Sequence, residues 1–203
     1  SMSSPTRGSW KGLPKLGKYI KNHCRSGYSY PYQDDPKELT VWTDTDYAGC
    51  KRTRKSTSGG AVMWGSHLIK SWSSTQSVVA LSSGEAVYYG MVKGASVALG
   101  LQSVLKDFNI SCGITLKSDA SAAIAISNRR GLGKVRHVEV CQLWLQYKVR
   151  RGDSKVVKVD THENVADALT KYVSQDGMVM RMRSTNQHLT EGRHELAPAT
   201  KCQ

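Results

Sequence analysis

Val41-Trp42-Thr43-Asp44-Thr45-Asp46-Tyr47-Ala48-Gly49 decides the reading of this chain. Leu39–Thr43 predicts a strand that runs straight into Asp44. A carboxylate just past a strand sits where open α/β sheets place their ligands. Three further acidic positions lie far along the chain. They are Glu85 in Gly84-Glu85-Ala86-Val87-Tyr88, Asp119 after the predicted strand Ile114–Lys117, and Asp167 in Asn164-Val165-Ala166-Asp167-Ala168-Leu169-Thr170-Lys171. Carboxylates gathered from separate elements suit magnesium, which takes oxygen ligands in an octahedron. Phosphodiester hydrolysis uses two such ions, roughly 3.5–4 Å apart, to activate water and stabilise the leaving oxygen.

Working outward, Gly59–Trp64 and His67–Trp72 read as two strands joined at Gly65-Ser66, and Val78–Leu81 as a brief apolar strand. The longest helix is predicted over Gly84–Phe108, with Val87, Gly90, Met91, Gly94, Ala98, Leu101 and Leu105 on one face. Ser121–Asn128 predicts a short helix. Val138, Cys141, Leu145 and Val149 form the stripe of another, Lys155–Val159 a strand, and Glu163–Tyr172 a final helix. The expected fold is α/β, a mixed five-stranded sheet flanked by helices. Residues 1–37 read as a basic connecting segment and linker, with a helix over Trp10–Cys24. The domain proper is expected over 38–173, and 174–203 as a disordered tail without periodicity.

The surface is strongly basic: 29 Lys and Arg against 16 Asp and Glu, a net charge of +13, which suits a polyanion such as nucleic acid. Arg52, Arg54 and Lys55 follow the first aspartate closely and could grip phosphate; Lys134 and Arg136, beside His137, are a second candidate patch. His162 is a candidate proton shuttle, though a solvated loop histidine accounts for it as well. Trp144 sits on a basic helix as a candidate stacking residue. Five cysteines without C-x-x-C spacing argue against a zinc site or a disulfide framework. With no membrane-length apolar run and no signal-peptide pattern, an intracellular location, cytoplasmic or nuclear, is expected.

Several ordered motifs carry a resemblance: the stretch around Asp44, Arg54-Lys55-Ser56-Thr57-Ser58-Gly59-Gly60, Lys70-Ser71-Trp72-Ser73-Ser74, Val79-Ala80-Leu81-Ser82-Ser83, Ser118-Asp119-Ala120-Ser121-Ala122-Ala123 and Ala166–Lys171. Over about residues 38–173 the chain resembles the ribonuclease H domain of copia-type retrotransposon polyproteins. Residues 10–30 resemble the segment that follows reverse transcriptase there. The resemblance implies a ribonuclease H-like fold and endonucleolytic cleavage of RNA in RNA–DNA hybrids. It also implies two Mg2+ ions, with Mn2+ as a substitute, and the reverse transcriptase domain of the same polyprotein as a partner. Asp44, Asp119 and Asp167 match the catalytic aspartates. Asp46 matches a position that is often acidic but not a ligand.

The family usually has Glu-Ala-Glu-Tyr where this chain has Glu85-Ala86-Val87-Tyr88. Two registers are open. In the one we favour, the ligand position is Val87, because Gly90 and Gly94 follow three and seven residues later and Glu85 lies about 200° round the helix from it. In the rival register, Glu85 is the fourth ligand and Val87 is ordinary core. The first reading makes the chain a catalytically impaired, hybrid-binding remnant; the second leaves a complete nuclease.

Overall fold

The computed structural model describes residues 6–23, 25–131, 133 and 142–190. In chain order the elements are α1 (Arg7–Asn22), β1 (Arg25–Tyr28), β2 (Glu38–Asp46), β3 (Thr57–Trp64), β4 (His67–Thr75), α2 (Ser83–Asp107), β5 (Gly113–Ser118), α3 (Ser121–Asn128), α4 (Trp144–Arg150), β6 (Lys155–Lys158), two 3-10 turns (Thr161–Glu163 and Val165–Leu169), α5 (Gln175–Ser184) and β7 (Gln187–Thr190).

The chain forms two compact units, Tyr30–Asn186 and a smaller one built from Ser1–Ser29 with Gln187–Gln203. In the smaller unit, β1 and β7 pair antiparallel, Arg25 opposite Thr190 and Tyr28 opposite Gln187. Helix α1 matches the expected basic helix, and its Trp10, Leu13, Leu16 and Ile20 are exposed.

The larger unit holds a five-stranded sheet in the order β4-β3-β2-β5-β6. Strands β2, β3 and β4 are antiparallel neighbours, whereas β5 runs parallel to β2 and β6 parallel to β5. This is the mixed α/β, ribonuclease H-like arrangement that the resemblance implies. The β3–β4 hairpin turns at Gly65, whose φ of +59° is a conformation glycine adopts without strain. Because β2 and β5 are parallel, their carboxyl ends lie at one edge of the sheet. Trp42 pairs with Lys117, so two residues further along the same register Asp44 comes level with Asp119.

Helix α2 lies across one face of the sheet. Val41, Thr43 and Thr45 of β2 point to it, and its Gly90 and Gly94 let the two backbones approach. Leu39, Val41, Val62, Tyr88, Met91, Ile114, Leu116 and Leu145 fill the core beneath. Tyr88 donates from its hydroxyl to the Gln142 carbonyl at 2.8 Å, and burial pushes its phenol up to about 12. A Cβ at Gly90 would stand 2.4 Å from Thr45 Oγ1 and 3.3 Å from Ser58 Oγ, two hydroxyls bonded to each other at 3.2 Å. Gly90→Ala is therefore expected to destabilise the unit by about 1–3 kcal/mol through overpacking, despite alanine's better helix propensity. Urea unfolding checks this, and an unchanged or higher midpoint would refute the close packing.

Three sequence expectations need correction. Val78–Leu81 is not a strand: Val79 and Leu81 are exposed, and Ser82 already caps α2 by accepting the Glu85 N–H. The helix expected over Glu163–Tyr172 is instead two 3-10 turns. Asn164 breaks it, its side chain accepting from the Ala166 N–H and donating to the Thr43 carbonyl. Residues beyond 174 are not a structureless tail as far as 190. Ser174 caps α5 by accepting from the Gly177 N–H, and Met182 is buried. The Val138 and Cys141 part of the expected helical stripe lies outside the described residues; Leu145 and Val149 lie on α4.

Candidate metal centre

Period-two alternation along β2 turns Asp44 to the face opposite α2. That face is covered by the turn Val165–Leu169, which packs on the bare backbone of β3. A Cβ at Gly59 would meet Leu169 Cβ and Thr170 Cγ2 at 2.8 Å and the Ala166 carbonyl at 3.2 Å. Asn164 pins the start of the turn to the Thr43 carbonyl at 3.1 Å. The Ser73 hydroxyl pins its end, donating to the Leu169 carbonyl at 2.6 Å. Asp167 is thereby held over the end of β2.

The outcome is a cluster of Asp44, Asp119 and Asp167, each offering a carboxylate oxygen within 4.8 Å of the others. Asp44 and Asp167 are 3 % and 5 % exposed; Asp119 is half-buried. Hard oxygen donors only, drawn from three elements, fit Mg2+ or Mn2+.

Two buried carboxylates need compensating charge. Lys171 supplies it: Nζ lies 3.3 and 3.2 Å from the two oxygens of Asp44 and 3.0 Å from Asp167 Oδ1. Burial pulls the Lys171 ammonium down, but the hydrogen bond to Asp167 and the charges of both aspartates outweigh it and raise its pKa above the ordinary lysine value. Arg181 of α5 adds a second cation, with Nη2 3.2 Å from Asp167 Oδ2. The Thr170 hydroxyl donates to Asp44, and the Thr161 hydroxyl donates to Asp119 Oδ2 at 2.8 Å. Lys171 was within sight of sequence reasoning, since it follows Asp167 by four residues. Arg181 was hidden in a segment without apolar periodicity.

Glu85 is not a member of this cluster. It is 2 % exposed in the first turn of α2, where its Oε2 accepts from the Leu81 N–H at 3.0 Å and its Oε1 from the Tyr89 hydroxyl at 2.8 Å. With Ser82 accepting the Glu85 N–H at 3.2 Å, this is a variant of the capping box that reaches one residue further back. Val87 is 8 % exposed and belongs to the core.

Asp46 has a turn-forming part: its carboxylate accepts from the Thr57 N–H. Arg52 and Arg54 are exposed in the tight loop after β2, with Lys55 half-buried at its end. Lys134, Arg136 and His137 lie outside the described residues. His162 is exposed, its N–H donating to Asp160 Oδ1 at 2.8 Å. Trp144 packs against the core rather than standing free.

No family model matches the chain. A retrovirus-related Pol polyprotein from transposon TNT 1-94 of Nicotiana tabacum is 28% identical over 184 residues, covering 86% of this chain and 13% of the polyprotein. Another, from transposon RE2 of Arabidopsis thaliana, is 28% identical over 178 residues, covering 86% of this chain and 12% of its own length. Among solved structures, an N-terminal RNase H domain from Mycobacterium tuberculosis is 17% identical, with a TM-score of 0.47, over 72% of this chain and 97% of that one. LC11-RNase H1 in complex with an RNA/DNA hybrid is 13% identical, with a TM-score of 0.42, over 65% of this chain and 93% of that one. Among the described residues, no helix is long and apolar enough to cross a membrane. The homologues of this chain are thus retrovirus-related Pol polyproteins of plant transposons, of which it spans a small part.

Proposed function

We propose that this chain is the ribonuclease H segment of a retrotransposon Pol polyprotein, acting on the RNA strand of RNA–DNA hybrids. The observation that carries the reading is the meeting of Asp44, Asp119 and Asp167 from three distant parts of the chain. The homologous polyproteins support the same activity. Bound at these carboxylates, divalent ions, Mg2+ or Mn2+, would activate water and stabilise the leaving oxygen of the scissile phosphodiester. The three aspartates are the ligands. Lys171 and Arg181 hold Asp44 and Asp167 in place while limiting their mutual repulsion. Arg52, Arg54 and Lys55, exposed or half-exposed just beyond β2, suit contacts to the phosphates of the bound strands, with Lys134 and Arg136 as further candidates. The reverse transcriptase domain of the same polyprotein is the natural partner, since it produces the hybrid. Such work is done inside the cell, in cytoplasm or nucleus.

A second reading is favoured by one specific observation. Val87 stands at the ligand position in our register, and Glu85 is bonded elsewhere. The chain would then bind hybrid but not cleave it. An assay of the purified chain on a hybrid with labelled RNA, with Mg2+ and with chelator, separates the two. Salt-sensitive binding with slow, Mg2+-dependent cleavage is expected. Binding without cleavage selects the impaired module, and a chain that neither binds nor cleaves hybrid ends both readings.

A further inference from the structure

The ammonium of Lys171 does more than steady the carboxylates, because it sits among the ligand oxygens themselves. It lies within 3.3 Å of both oxygens of Asp44 and 3.0 Å of Asp167, and these two aspartates are the deeply buried members of the cluster. A divalent ion shared by Asp44 and Asp167 would need the oxygens that Lys171 holds. Asp119 differs: its contact is the neutral Thr161 hydroxyl, and among the described residues no ion pair reaches it. Three carboxylates therefore face two fixed cations, Lys171 and Arg181. That leaves a single net negative charge, less than one divalent ion carries and far short of two.

We propose that Lys171 is a built-in occupant of the second cation position, so that the chain alone takes up a single divalent ion and admits another only when Lys171 is displaced. The inference rests on the reading of the three aspartates as metal ligands. Physically, a tethered ammonium competes with an ion from solution at high effective concentration. Displacing it exposes two buried carboxylates unless the incoming ion replaces its charge. The arrangement keeps the fold intact without metal and makes full loading depend on something that draws Lys171 away, such as a phosphate of the bound strand.

Titration of the metal-stripped full chain with Mn2+ tests this, reading bound ions from the loss of the free-ion electron paramagnetic resonance signal. The wild type should bind one Mn2+. Lys171→Met should bind two, the tighter about tenfold more strongly than in the wild type, as removal of a competing charge predicts. Thermal midpoints give an independent readout: Lys171→Met should melt lower in chelator and gain more from Mn2+ than the wild type. Lys171→Gln, which keeps hydrogen-bonding capacity without charge, serves if the methionine variant does not fold. Equal stoichiometry and affinity in wild type and variants would overturn the inference. So would two ions in the wild type, while leaving the aspartates as ligands. If no protein binds Mn2+, or Asp119→Asn binds as the wild type does, the inference fails together with the reading of the aspartates.

Discussion

Val87→Glu should raise Mg2+-dependent cleavage of an RNA–DNA hybrid by about a hundredfold or more over the wild type, the scale at which one properly placed charge-stabilising group acts in a reaction centre. The site as it stands has three carboxylates where four are implied by the resemblance. Position 87 lies on the sheet-facing stripe of α2, three residues before Gly90, where the helix approaches Thr45 of β2 most closely. A carboxylate there would be buried with the core cluster rather than in solvent. The same substitution buries a charge in the core cluster, so without metal the variant should lose about 1–3 kcal/mol. Mg2+ should return most of that loss, because an ion that binds only the folded form stabilises it. A gain in cleavage paired with a metal-restored melting temperature is the expected signature. A variant that folds well in Mg2+ and cleaves no faster than the wild type would rule out the register.

Glu85→Ala should produce the opposite pattern: a clear loss of stability with divalent-ion binding unchanged. The side chain ties the start of α2 to the preceding backbone through the Leu81 N–H and to the next turn through the Tyr89 hydroxyl. Deleting it takes the acceptor from two part-buried hydrogen bonds and opens a gap at a fully buried side chain, which should cost about 1–3 kcal/mol. Chemical denaturation measures the loss, and Mn2+ titration checks the unchanged binding. If the variant keeps its stability but loses metal, Glu85 is the fourth ligand and Val87 is ordinary packing.

Much of this architecture is legible in the order of residues. The strand that carries Asp44, the hairpin at Gly65 and the long helix with Gly90 and Gly94 follow from local pattern, because each buries one face with the period its geometry demands. The parallel pairing that brings Asp44 level with Asp119 is not written locally, since register across distant strands depends on the packed sheet. The turn carrying Asp167 is not legible locally, because its conformation is set by Asn164 reaching to the Thr43 carbonyl, a long-range bond. The burial of Glu85 is not legible in the sequence, because a folded-back partner such as the Leu81 N–H has no periodic signature. Lys171 and Arg181 were missed for a related reason: a counter-ion is recognised only when the acids it faces have already been assembled.

The position of Arg181 changes where the working unit ends. Any excised version stopping at residue 173, where motif similarity fades, would discard the guanidinium that grips Asp167 and the buried Met182 that seats its helix. The third acid would then answer to Lys171 alone. A fragment trimmed to the motifs would lose this electrostatic support, so a test of the proposed activity requires the polypeptide through Asn186.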